Sequence, residues 1–293
     1  MYKIATRFLP VVIVGILPCL LELYSHIPAR ITLGGILPPI PGLPNSVVKG
    51  VKEVTILFPG FGGNDEHTER IVSEHNAADG LALCYLYDWG TYRGDLLRAS
   101  NNGIEVGKKI GSQLANTASI EKIHVIGVSV GSFAADACVG AFNEEICKQQ
   151  REACRFTPML QPPSIAEGAS TSMHSMNGMN TPTGPKTRAT FLDPFTQKGL
   201  FRSKFGINHF GKSAEYAEQY LNTDDPVPST NSPLLHAHCW DITAAKERET
   251  FIPLPDDNMH SWPCAFFGLH LRRLNSRVRT HKTFERGKTT SVI

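Results

Sequence analysis

The sequence predicts an α/β domain: a mostly parallel sheet with helices on both faces. Two observations predict it. Short apolar runs at 54–59, 81–87, 122–127 and 188–192 alternate with longer stretches of helical period, the signature of strand–helix–strand units. The chain has 293 residues, 41% hydrophobic and 19% charged, enough to bury one large core without splitting into two full domains.

The N-terminus reads as a targeting segment. Lys3 and Arg7 precede an apolar run over 8–21 that Pro10 and Pro18 interrupt, too short to cross a bilayer comfortably. Residues 1–29 are therefore expected to be a signal peptide cleaved near Ala29, or an uncleaved signal anchor. The protein is correspondingly secreted or held at a membrane by that segment. Residues 30–50 carry Pro38, Pro39, Pro41 and Pro44 among Ile and Leu. No regular helix tolerates that spacing, and the apolar character predicts a linker lying against the domain or a membrane.

The domain itself is expected over 51–280. Residues 54–59, V-T-I-L-F-P, form a strand ending in the turn Gly60-Phe61-Gly62-Gly63. A helix follows over 66–79, then a strand over 81–87. Ile104, Val106, Ile110 and Leu114 recur at helical spacing over 99–115. Residues 122–127, K-I-H-V-I-G, read as a strand and 132–147 as an Ala-rich helix. A strand over 188–192, another over 234–240 and a helix over 262–279 complete the domain. Residues 157–186, rich in Pro, Ser, Thr, Met and Gly, interrupt the alternation as a flexible insertion. That insertion, or the stretch 196–233 with Phe201, Phe205, Ile207 and Phe210, could cover a cleft, and those four apolar residues could equally be ordinary core. Residues 281–293 form a basic tail.

Net charge is +2, which gives no reason to expect a nucleic-acid partner. The exception is local. Arg272, Arg273, Arg277, Arg279, Lys282, Arg286 and Lys288 face Glu285 alone. That run is a solvated helix end, or it draws the protein to anionic lipid. Six cysteines follow Cys19. They allow disulfides in an exported chain, with Cys147–Cys154 and Cys239–Cys264 the first pairs to examine, or leave Cys84 and Cys138 as reduced core residues. There is no Cys-x-x-Cys, and His236 with His238 is too little for zinc. Neither a metal nor an organic cofactor is expected.

The chemistry concentrates at Gly127-Val128-Ser129-Val130-Gly131. A serine on a sharp strand-to-helix turn exposes its hydroxyl, and small residues two positions away let neighbouring backbone pass. The pentapeptide follows K-I-H-V-I and precedes an Ala-rich helix, the setting such a nucleophile needs. A plain helix cap is the competing use of such a serine.

Five ordered words then make a resemblance specific: L-F-P-G-F at 57–61, Y-D-W-G-T-Y-R-G at 87–94, A-S-N-N-G-I-E-V-G at 99–107, H-V-I-G-V-S-V-G at 124–131 and F-L-D-P-F at 191–195. The stretch 54–194 resembles the pancreatic-type lipase family and its bacterial and algal relatives. The resemblance implies an α/β-hydrolase fold and hydrolysis of lipid esters at a membrane or lipid interface. It puts Ser129 at the nucleophile, Asp193 at the triad acid and the Phe61 N–H at the second donor of an oxyanion hole. Val130, following the nucleophile, supplies the first donor. Where the family commonly has His and Leu around the serine, this chain has Val128 and Val130. Some members of the family keep the fold as binding or storage proteins.

Asp193 also stands on its own residues. It ends an apolar strand before Pro194, at the sheet edge where clefts open. The chain order Ser, Asp, His leaves His209, His236, His238, His260, His270 and His281. His236 and His238 fall in an expected strand, His270 in a helix and His281 in the basic tail. His260 alone sits in the loop before the last helix, so it is the expected base. Asp224-Asp225-Pro226 is expected to be a turn shaping the cleft mouth.

Overall fold

The computed structural model describes residues 16–78, 83–156, 186–253, 258–280 and 285–293. The insertion expected at 157–186 therefore lies, up to residue 185, outside the described residues, as does His281.

The alternation read from sequence becomes one sheet. Its strands are β3 (Glu53–Phe58), β4 (Leu83–Leu86), β5 (Lys122–Val128), β6 (Lys186–Leu192), β7 (Tyr216–Leu221), β8 (His238–Asp241) and β9 (Thr289–Ser291). They lie in the order β4-β3-β5-β6-β7-β8-β9, and every neighbouring pair is parallel. A small antiparallel pair, β1 (Ile31–Thr32) with β2 (Gly35–Ile36), stands apart. The helices are α1 (Leu17–Ser25), α2 (Asn45–Val48), α3 (Glu66–Ala77), α4 (Gly90–Arg93), α5 (Leu96–Ala115), α6 (Gly131–Phe156), α7 (Phe205–His209) and α8 (Trp262–Thr280). The fold class is α/β, as expected.

Because side chains alternate along a strand, β3 feeds two cores. Val54, Ile56 and Phe58 pack with Val106, Ile110 and Phe133 of α5 and α6. Leu57 packs with Ile71 of α3 and with Trp262 and Phe267 of α8. Helices thus cover both faces.

α5 and α6 cross with their backbones nearly touching. A Cβ on Gly107 would lie 2.1 Å from the Ala134 carbonyl oxygen, and one on Gly111 equally close to that of Cys138. The glycine of A-S-N-N-G-I-E-V-G at position 107 is thereby explained by packing.

The N-terminal residues from 16 onward are built into the domain. Tyr24 donates its hydroxyl to Asp95 at 2.6 Å. Glu22 accepts the Leu200 N–H at 2.6 Å, and Asn101 holds the Ser25 carbonyl. The Ala29 N–H reaches Glu105 at 3.0 Å, and Ala29, the expected cleavage site, is only 1% exposed. The proline-rich stretch lies against the domain, as its apolar residues suggested: Tyr87 bonds the Pro41 carbonyl, and Gln113 makes two bonds to the Leu43 backbone.

Several expectations need correction. The strand expected over 234–240 begins only at His238; residues 234–237 approach it through a turn held by Gln219 and the Ile207 carbonyl. His236 is therefore outside the sheet. The stretch 196–233 contains an unexpected interior strand, β7, and of the two expected uses for Phe210, cover or core, the structure shows core. The basic tail contributes β9, and Arg286 is tied to the Gly211 and Ala214 carbonyls. None of the seven cysteines, all of them among the described residues, is in a disulfide. Cys147 and Cys154 share the continuous helix α6, where seven residues of about 1.5 Å rise hold them roughly 10 Å apart, beyond the reach of a disulfide.

Gly107→Ala should destabilise the protein by about 1–3 kcal/mol or more through backbone overlap. Gly140→Ala on α6, whose nearest new neighbour is Ser213 Oγ at 3.8 Å, should be neutral or stabilising by up to about 1 kcal/mol. Paired thermal melts check the contrast; equal shifts would contradict it.

Candidate active site

Ser129 occupies the junction of β5 and α6 in a left-handed conformation, φ 49°, rare and strained for a residue with a Cβ. The flanking glycines allow it. A Cβ on Gly131 would sit 2.3 Å from the Phe58 carbonyl oxygen, and one on Gly127 would lie 2.6 Å from the Ser132 Cα. The turn is pinned on both sides: the Ser129 N–H donates to the Leu192 carbonyl at 3.0 Å, and the Ser129 carbonyl accepts from Phe195 at 3.1 Å.

The turn after β3 lies directly against this serine. A Cβ on Gly60 would come within 3.2 Å of the Ser129 Cβ. Three groups fix the turn. Trp89 Nε1 donates to the Pro59 carbonyl at 2.9 Å, and Arg93 Nη1 donates to the Gly60 carbonyl at 2.9 Å. Asn102 Nδ2 in turn holds the Tyr92 carbonyl at 2.7 Å. The word Y-D-W-G-T-Y-R-G therefore braces the loop that carries Phe61. Phe61 and Val130 both line the cleft beside Ser129.

Asp193 follows β6, also at positive φ, 44°. Its N–H is held by the Tyr220 carbonyl of the neighbouring strand, and it has no exposed surface. His260 comes from a short 3-10 turn, Met259–Ser261, capped by Asn258, whose Oδ1 accepts the His260 N–H at 2.7 Å. Asn222 Nδ2 fastens the Met259 carbonyl at 3.0 Å. The result brings His260 Nδ1 to 3.0 Å from Asp193 Oδ2.

A second carboxylate reaches the same nitrogen. Asp225 Oδ2 lies 2.7 Å from His260 Nδ1. Sequence reasoning had taken Asp225 for a turn residue at the mouth. What could have found it is its place just past a sheet strand, but β7 itself went unrecognised.

Burial drives the His260 imidazole down, yet the Asp193 and Asp225 carboxylates outweigh it and raise its pKa above the ordinary value. Burial pushes the Asp193 carboxyl up, against the pull of His260. Burial also opposes the Asp225 charge, but hydrogen bonds from His260, Asp193 and Thr230 hold that carboxyl low. Asp193, Asp225 and His260 have the composition of a divalent-metal site, with ligand atoms within 4.8 Å of one another. Their separations from Nδ1 are those of direct hydrogen bonds, a spacing that suits a proton between them rather than an ion.

Ser129 and His260 line one cleft of about 670 Å³. Its walls include Phe61, Leu96, Leu97, Val128, Val130 and Phe195, an apolar lining with a few converging polar groups, as small-molecule sites usually have. The other expected histidines lie elsewhere: His209 stacks on Phe205, His236 meets the Asn208 carbonyl, His238 meets Thr290 and His270 meets Glu247.

No protein-family model and no curated protein matches the chain.

His260 should titrate above the ordinary imidazole value of about 6.5, because two carboxyls favour the charged ring. Nuclear magnetic resonance of the imidazole across pH checks this; a value at or below the ordinary one would mean that the carboxyls do not hold the ring.

Proposed function

We propose that the protein is a serine hydrolase of the α/β-hydrolase type that cleaves carboxylic ester bonds of lipids through an acyl-serine, akin to the pancreatic-type lipases. The observation that carries this is the strained Ser129 turn opening onto the same cleft as an imidazole held by buried acid. A strained turn alone would suit a helix cap; a carboxylate-bound imidazole in the same cleft has no place in that use.

In this mechanism Ser129 Oγ attacks the ester carbonyl carbon while His260 Nε2 takes its proton. The carbonyl oxygen gains negative charge and is held by the Phe61 and Val130 N–H groups, the first on the braced 59–61 turn and the second on the pinned serine turn. Collapse breaks the bond to the alkoxy oxygen, which leaves as an alcohol with the proton from His260. Water then gives a proton to His260 and attacks the acyl carbon, and the acid departs. The buried acid keeps Nδ1–H directed away from Ser129, so Nε2 is the nitrogen free to act. The reaction draws on no cofactor.

Two features support a lipid as substrate. The cleft walls are apolar, and Phe61 and Leu96, which line the cleft, also stand exposed at its mouth, with Phe201 exposed nearby in sequence to the Gln197–Gly199 wall. Residues 16–29 stay uncleaved in this proposal, because Ala29 is buried and the segment before it is bonded to α5. No helix among the described residues is long and apolar enough to cross a membrane.

The purified protein should be labelled by a fluorophosphonate at Ser129. Ser129→Ala should abolish labelling and lower ester turnover by about 10⁴-fold or more. On p-nitrophenyl esters kcat/KM should rise from acetyl to octanoyl chains. Absence of labelling on the folded wild type would leave the alternative, a lipid-binding protein without catalysis.

A further inference from the structure

Asp193 and Asp225 reach the same imidazole nitrogen, and the two reaching carboxyl oxygens lie within 4.8 Å of one another. The topology explains how. β6 and β7 are adjacent and parallel, with Leu192 opposite Tyr220. Each strand therefore delivers an acid to the same edge of the sheet: Asp193 directly after β6, Asp225 four residues past Leu221. Two carboxylates this close do not both ionise readily; they hold a proton between them.

We infer that Asp225 is the charged partner that orients His260, and that Asp193 holds the shared proton and donates it to Asp225. This deepens the hydrolase proposal and rests on it.

The hydrogen bonds decide where the charge resides. Asp225 is the nearer to Nδ1, 2.7 Å against 3.0 Å. Its Oδ1 accepts the Val227 N–H at 3.0 Å, and the Thr230 hydroxyl lies against its Oδ2. These contacts replace the water that a carboxylate loses on burial. Asp193 is fully buried, and apart from His260 it has the Asn222 N–H at 3.3 Å, a long and weak donor. Burial accordingly drives Asp193 toward its neutral form, while Asp225 stays low. A neutral Asp193 still has work: its hydroxyl bridges to Asp225 and its other oxygen keeps the end of β7 in place through Asn222. Both acids are positioning residues, since they act on the ester only through His260. Among the described residues, the other ionisable groups bordering the cleft are Asp65, the N-cap of α3, and Cys264.

The test compares Asp193→Asn with Asp225→Asn. An asparagine at 193 reproduces the neutral acid, with an amide N–H in place of the hydroxyl. It should cost about ten-fold in kcat/KM and leave the acidic limb of the pH profile where the wild type has it. An asparagine at 225 removes the charge. It should cost on the order of 10³–10⁴-fold, as loss of a triad anion does. It should also move the acidic limb down by about one pH unit or more, because the imidazole loses the anion that raised it. Equal losses, a larger loss from Asp193→Asn, or an acidic limb that moves in Asp193→Asn would overturn the assignment. Should Asp225→Asn fail to fold, the limb of Asp193→Asn decides alone: unmoved supports the assignment, lowered overturns it. A folded wild type that no fluorophosphonate labels would sink the hydrolase proposal itself, a failure distinct from either variant result.

Discussion

The close contact between the β5–α6 junction and the turn after β3 is the constraint on which the site depends. Backbone, not side chain, makes it. Gly131 passes against the Phe58 carbonyl with no room for a Cβ, and a Cβ on Gly60 would crowd that of Ser129 at 3.2 Å. With that packing Ser129 takes a positive φ, and Phe61 and Val130 line the cleft beside it. Strain of about 1–3 kcal/mol at such a residue persists only where the surroundings over-determine it. Here the determination comes from the Leu192 carbonyl and the Phe195 N–H on one side, and from Trp89 and Arg93 bracing the opposite turn.

The second half of the site is a product of sheet order. Parallel neighbours end at the same edge, so β6 and β7 place two acids within reach of a histidine from the 3-10 turn before α8. The loop bearing His260 is tied to β7 by Asn222, whose amide holds the Met259 carbonyl. The carboxyls and the imidazole are thus fixed to one another at the sheet edge. The residues flanking Asp193 also tie them to the serine turn, through the Leu192 carbonyl and the Phe195 N–H.

Much of this was legible in the sequence, and the exceptions have physical causes. β3 and β5 are continuous apolar runs because helices cover both their faces. β7 was hidden because Y-A-E-Q-Y-L carries Glu218 and Gln219, both buried and both satisfied: Glu218 by Arg188 and Thr190, Gln219 by the Ser232 carbonyl and the Leu234 N–H. A strand that buries polar groups through long-range partners leaves no hydrophobic period to read. β9, Thr-Thr-Ser, is short and polar for the same reason of position, pairing at the sheet edge. Losing β7 concealed Asp225, since an Asp-Asp-Pro word without a strand before it reads as a turn. Ser129 and Asp193 were legible as candidates because each ends an apolar strand within a recognisable word, and His260 because it alone of the histidines after Asp193 was expected in a loop before the last helix. Their proximity was not legible; sixty-seven residues separate Asp193 from His260.

The most direct measurement is to catch the acyl-enzyme. The protein is mixed with a medium-chain p-nitrophenyl ester, quenched in acid while turning over, and digested for peptide mass spectrometry. The account predicts one added acyl group per chain, on the peptide containing Ser129, that forms with the released nitrophenolate and disappears as the ester is consumed. Turnover with acyl carried by another residue, or a folded protein that releases nitrophenolate without any acylated peptide, would contradict it.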